Sequence, residues 1–238
     1  MKRILTLCVL FASICAMQAK VELPSLFADN MVLQQQADAA LWGQAKPNAK
    51  VTITTTWSKA KTTAHADADG KWFARVATPK AGGPYEITFS DGEKTTLKNV
   101  LVGEVWICSG QSNMEMPMKG FSGQPVDGAT DLILGAKTTT LIRSCNLERI
   151  KSFELRSECP ATWYEHTPKG VAEASATAYF FAKRLYETLD VPVGIINVSW
   201  GGTPIQAWMN PELLKNEFGL WHRAFLGIYD KKNAVCHI

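Results

Sequence analysis

The sequence predicts an α/β protein in two parts, a β-sandwich over residues 20–99 followed by an α/β domain with a parallel sheet over residues 100–238. Three observations predict it. Lys50 to Trp57 alternates Val51, Ile53 and Thr55 with Thr52, Thr54 and Thr56, the period-two pattern of a half-buried strand. Val100 to Cys108 and Val191 to Val198 are almost continuously apolar, as expected of parallel strands covered on both faces. Between those runs, Val171 to Leu189 repeats Ala174, Ala178, Phe181 and Leu185 at three- and four-residue steps, with Lys183, Arg184 and Glu187 off the stripe. That is an amphipathic helix, with Thr167-Pro168 as its cap and first turn. Buried strand, helix, buried strand is the repeating unit of a parallel α/β sheet.

The first nineteen residues read as an address. Lys2-Arg3 precedes an apolar stretch from Ile4 to Ala16, and the small residue Ala19 marks a cut site, so residues 1–19 are expected to be a secretory signal peptide. The stretch is shorter than the roughly 20 apolar residues that span a bilayer. Stable membrane insertion is therefore not expected, and an exported protein, periplasmic or extracellular, is. Cys15 follows Ile14 where a lipid anchor would ask for a small residue.

Composition narrows the function classes. The chain has 238 residues, 46% hydrophobic and 20% charged, which fits a folded protein and excludes a disordered tail, a coiled coil or a collagen-like repeat. The net charge of +3 comes without any run of Lys or Arg that would supply a nucleic-acid footprint. Cys8 and Cys15 lie in the signal, leaving Cys108, Cys145, Cys159 and Cys236, with no C-x-x-C pair for zinc or redox chemistry. Export permits disulfides, and Cys145 with Cys159 is the favoured pair. Cys108 reads as a small buried residue.

In the first part, strands over Ala40–Gly43, Lys71–Val76 and Tyr85–Phe89 join the one at Lys50. Turn signals at Lys46-Pro47-Asn48, Asp67-Ala68-Asp69-Gly70, Gly82-Gly83-Pro84 and Ser90-Asp91-Gly92 separate them. Trp42, Trp57 and Trp72 are candidates for a sugar-stacking face, against the plainer reading that they fill a small core.

In the second part, both apolar strands run into small, polar, glycine-containing turns: Ser109-Gly110-Gln111-Ser112-Asn113 and Ser199-Trp200-Gly201-Gly202-Thr203. Ligands in open α/β sheets bind beyond such strand ends. Ser112 stands where an exposed nucleophile would stand, and it needs a base for its proton and donors for the oxyanion. Its own N–H and that of Gly201 or Gly202 are candidate donors. The α/β-hydrolase elbow G-x-S-x-G is not matched, because Met114 occupies the final glycine position. A peptidase or lipase of that fold is disfavoured.

Gly103-Glu104-Val105-Trp106-Ile107-Cys108-Ser109-Gly110-Gln111-Ser112-Asn113-Met114-Glu115-Met116-Pro117 closely resembles the first signature block of the sialate O-acetylesterases, exported carbohydrate esterases of the SGNH-hydrolase superfamily. Ala172-Glu173 through Phe181, Pro192-Val193-Gly194 and Asn197 through Trp208 are similar to the next block. Asn30-Met31-Val32-Leu33-Gln34 and Leu41-Trp42-Gly43 are similar to the sandwich that precedes that family's catalytic domain. The resemblance covers about residues 22 to 210. It implies that Ser112 is the nucleophile and that Gly202 (or Gly201) is the oxyanion-hole glycine. Removal of acetyl groups from sialic acid or related sugars would proceed through an acetyl-serine, without metal or organic cofactor. Gln111, Asn113, Trp200 and Gln206 are the substrate-binding candidates. Trp106 and Trp208 lie near enough to contact the sugar, and packing is the alternative for each. Glu115 carries no assigned role.

The family's D-x-x-H motif, which supplies the base, has no counterpart. Three residues before His65, His166, His222 and His237 stand Thr62, Trp163, Gly219 and Ala234. His166 reads as an exposed loop histidine. The expectation is an SGNH-type domain truncated at its C-terminus and a chain that is weak or inactive as an enzyme. The alternative is a catalytically incomplete carbohydrate-binding or interaction remnant.

Overall fold

A computed structural model describes residues 20–152 and 156–210, with residues 213 and 216. The expected signal peptide, Cys236, His222 and His237 lie outside the described residues.

The described residues form ten strands: β1 (Val32–Gln34), β2 (Asp38–Gln44), β3 (Lys50–Thr55), β4 (Ser58–His65), β5 (Lys71–Ala77), β6 (Gly82–Ser90), β7 (Lys94–Gly110), β8 (Ile142–Leu147), β9 (Ala161–Tyr164) and β10 (Val193–Ser199). The helices are α1 (Ser112–Glu115), α2 (Ala129–Leu134), α3 (Pro168–Glu173) and α4 (Ala176–Leu189), and a 3₁₀ turn covers Ile205–Trp208. One sheet runs in the order β4-β3-β6-β7-β10-β8-β9, with β1 alongside β7, and β2 and β5 form a separate antiparallel pair.

The alternating residues of β3 and β5 do what their period requires. Val51 and Ile53, with Trp72, Ala74 and Val76, point into a core shared with Leu41, Ile87 and Phe89. Trp72 meets Phe89 with ring centroids 5.7 Å apart. Trp57 packs edge-on to Tyr85 and donates its indole N–H to the Ala77 carbonyl, so it is a packing residue.

The second part is mixed α/β with parallel strands. β10 pairs in parallel with β7 from Val193↔Glu104 to Ser199↔Gly110, and with β8 from Val193↔Ile142 to Asn197↔Asn146. β9 closes the sheet antiparallel to β8. α4 lays Ala178 and Ala182 against Ile195, Val193, Ile142 and Cys108. β1 and β10 both run parallel to β7, and a Cβ at Gly103 would lie 2.0 Å from the Pro192 carbonyl. Only glycine lets the chain entering β10 approach β7 this closely.

Four expectations need correcting. The Val171–Leu189 helix is two helices, broken at Ala174, whose ψ of 145° is extended. The break frees Ser175 to cap α4 by accepting from the Ala178 N–H. It also lets Met118 N–H and Ala176 N–H pair with the Ala174 and Met116 carbonyls. The β7 run is buried from Val100 to Gly103, but Trp106 is 43% and Ile107 68% exposed, so it is not covered on both faces throughout. Cys145 is a free thiol and forms no disulfide with Cys159. Cys145 faces Trp163 on the β8–β9 ladder, whereas Cys159 lies beyond that ladder's end at Leu147↔Ala161, and its Sγ bonds the Glu148 carbonyl at 3.4 Å. Burial pushes the Cys145 thiol up to about 12. His166 is buried, not exposed (7%), because Tyr179 and the Lys137 backbone enclose its ring.

Candidate active site

β7 ends at Gly110, whose φ of 148° suits glycine, and the chain turns through Gln111 into α1, which opens with Ser112. β10 ends at Ser199, directly opposite Gly110, and the Trp200 N–H donates to the Gly110 carbonyl at 3.0 Å. The parallel pairing therefore places both glycine-containing turns at one sheet end. A Cβ at Gly201 would lie 3.8 Å from the Ser112 Cα, so the two turns lie side by side.

Ser112 is exposed, and its Oγ donates to Gln111 Oε1 at 3.0 Å. Asn113 is exposed, and its carbonyl accepts from Thr177 Oγ1 at 3.0 Å, which ties the serine turn to the start of α4. Gly202, at φ +77°, is exposed, and a Cβ there would meet nothing within 4 Å. Trp200 is half-buried, with Lys151 Nζ 6.0 Å from its ring. Gln206 is half-buried on the 3₁₀ turn. Thr203 Oγ1 donates to the Trp200 carbonyl at 2.7 Å and accepts the Trp208 indole N–H at 2.9 Å, so Trp208 braces the turn. Trp106 packs edge-on against Phe181, with centroids 5.1 Å apart, on the side covered by α4.

No imidazole is among the hydrogen-bond partners of Ser112 within the described residues. His65 ends β4 in the first part of the chain. His166 Nε2 lies 2.9 Å from the Tyr179 hydroxyl and Nδ1 lies 3.2 Å from the Lys137 carbonyl. Burial holds His166 below the ordinary histidine range.

One pair of side chains escapes sequence reasoning. Glu115 accepts from both the Gly201 N–H and Arg149 Nη1. Glu115 lies three residues past the serine, which was the only signal available. Arg149 is distant in sequence and arrives through the loop after β8.

A second concavity lies in the first part. Trp42 and Trp72 line a cavity of 290 Å³ with Glu22, Lys71 and Glu158. The Trp42 indole N–H donates to the Ser157 carbonyl at 3.2 Å, and its ring meets Phe27 edge-on at 4.6 Å.

Comparison with known proteins places this arrangement. The family model described as carbohydrate esterase, sialic acid-specific acetylesterase matches residues 102–224, just over half of the chain. Sialate O-acetylesterase of Homo sapiens is 33% identical over 210 residues, covering 80% of this chain and 39% of that protein. The Mus musculus sialate O-acetylesterase is 31% identical over 208 residues, covering 79% and 38%. The crystal structure of a carbohydrate acetylesterase from Xanthomonas citri superposes with a TM-score of 0.75 at 33% identity, over 82% of this chain and 44% of that one. The chain thus spans about two-fifths of the length of the sialate O-acetylesterases it matches. By its matched sequence and its fold, the chain belongs to the sialic acid-specific acetylesterase family of carbohydrate esterases.

Proposed function

We propose that this protein is an exported carbohydrate esterase that removes O-acetyl groups from sialic acid or a related sugar, with Ser112 as nucleophile. The observation that carries the reading is the position of the exposed Ser112 just beyond the carboxyl end of β7, beside the turn after β10. Residues 20–99 would form the sandwich domain and residues 100–238 the SGNH-like domain, with Leu101, Cys145 and Trp163 of the second sharing the core of the first. Export rests on residues 1–19. No helix among the described residues is long and apolar enough to cross a membrane.

In this reading Ser112 Oγ attacks the acetyl carbonyl carbon and gives its proton to a base. The ester bond to the sugar oxygen then breaks, and that oxygen leaves protonated. Water attacks the acetyl-serine, releasing acetate and restoring the hydroxyl. The backbone N–H groups of Ser112 and Gly202 would stabilise the developing oxyanion. Gln111, Asn113, Trp200 and Gln206 surround the sugar. Because His65 ends β4 in the first part of the chain and the His166 ring is held by Tyr179 and the Lys137 backbone, the described residues acting alone would turn over slowly, keeping the about 10³–10⁴-fold that positioning and an oxyanion hole supply without a base. Acetate release from an O-acetylated sialoside, compared with Ser112→Ala, tests this. Release that depends on Ser112 supports it, and equal release by both proteins refutes it.

A second reading, a carbohydrate-binding or interaction module, is favoured by the Trp42–Trp72 cavity, where an indole held at both edges offers a rigid face. Sugar binding without turnover, weakened by Trp42→Ala and unaffected by Ser112→Ala, would support it.

A further inference from the structure

Glu115 closes α1, and its carboxylate reaches segments leaving the carboxyl ends of three neighbouring strands. Its backbone continues the helix that Ser112 begins after β7. Oε2 accepts the Gly201 N–H after β10, and Oε1 accepts Arg149 Nη1 after β8. The side chain is only 19% exposed. A Cβ at residue 201 would sit 2.5 Å from Glu115 Oε2, so glycine there is what lets the carboxylate rest against the turn.

We infer that Glu115 is a positioning residue for the ester chemistry: with Arg149 it fixes the Gly201–Gly202 turn beside Ser112, takes up the Gly201 N–H, and leaves the Gly202 N–H as the turn's donor to the acyl oxygen. The inference rests on the reading of Ser112 as an esterase nucleophile. Of the consecutive N–H groups in this turn, that of Trp200 is spent on the Gly110 carbonyl and that of Gly201 on Glu115. Gly202 is exposed and open around its Cα, so a carbonyl oxygen can approach its backbone. A carboxylate this near a developing oxyanion opposes it unless neutralised, and Arg149 is the neutralising partner.

Charge compensation and simple bracing predict different couplings. Removing Arg149 alone strands a negative charge beside the oxyanion, whereas removing both charges does not. Hydrolysis of 4-nitrophenyl acetate by the full chain, measured above the Ser112→Ala baseline, is compared for Glu115→Gln, Arg149→Ala and the double variant. Arg149→Ala should lower kcat on the order of 10²-fold, the scale of a lost oxyanion donor, with KM within about threefold. The double variant should recover to within about fivefold of Glu115→Gln, whereas additive losses would overturn the inference. Independently, amide exchange in ¹⁵N-glycine-labelled protein should show Gly201 protected at least about tenfold over Gly202, with the protection lost in Glu115→Ala. Equal exchange at both glycines would overturn the clamp. If Ser112→Ala hydrolyses the ester as fast as the unaltered chain, the esterase reading falls and takes the donor assignment with it, while Gly201 exchange still decides whether the clamp exists.

Discussion

The two halves of β7 share one apolar sequence run and live in different surroundings. Leu97, Val100, Leu101 and Val102 are buried where β6 and β1 flank the strand. Past Gly103, β10 is the strand's partner among the described residues, α4 covers one face, and Ile107 stands largely in solvent. An apolar run therefore states a capacity for burial, and the neighbours decide how much of it is used. The contrast also divides the molecule's work. The first half of β7 anchors the core, and the second half carries Ser112 at its end.

The contrast can be broken at graded cost. Leu101→Ala, in the half where the side chain is 1% exposed, should lose about 3 kcal/mol of unfolding free energy in a denaturant titration. Next is a polar contact between the two parts. Glu165 Oε2 accepts from Arg143 Nη2 at 3.0 Å and from Asn99 Nδ2 at 3.1 Å, and Asn99 in turn donates to Asn30 Oδ1 at 2.7 Å. Arg143 is 2% exposed, so Glu165→Gln leaves a buried guanidinium without its counter-charge. The carboxylate is itself about a third exposed, which moderates the loss to roughly 2 kcal/mol by the same titration.

The acid response should come from the second part and be smaller. Burial lowers the His166 pKa in the folded protein, so between the folded value and the unfolded one near 6.5 the unfolded chain binds more protons. This contribution is present above about pH 6.5 and is lost as pH falls through the lower folded value. Melting temperature against pH should fall less steeply in His166→Asn than in the unaltered chain. The smallest effect belongs to Ile107→Ser, within about 0.5 kcal/mol by thermal melting. A loss near that of Leu101→Ala would mean that Ile107 is covered in solution.

Strands with a clean pattern were legible. β3 and β5 alternate, and β10 is an apolar run bounded by Pro192 and a glycine turn. β4 was not, because an exposed strand of Ser, Lys, Thr and Ala has no face to mark. β8 was not, because Arg143 and Ser144 interrupt it, and their burial depends on partners supplied by other segments. The helix break at Ala174 was hidden for the same reason, since what stabilises it is pairing with Met116 and Met118.

By itself the sequence determined the family, the nucleophile candidate and the two glycine-containing turns, because these are local: a motif and a strand ending in small polar residues can be read without knowing their neighbours. Tertiary structure alone decided that the Gly201 N–H is taken by Glu115, that Arg149 neutralises that carboxylate and that His166 is buried away from the serine. A hydrogen bond or ion pair depends on distance and direction between groups far apart along the chain. Those are fixed only when the parallel pairing of β7, β10 and β8 brings their ends together.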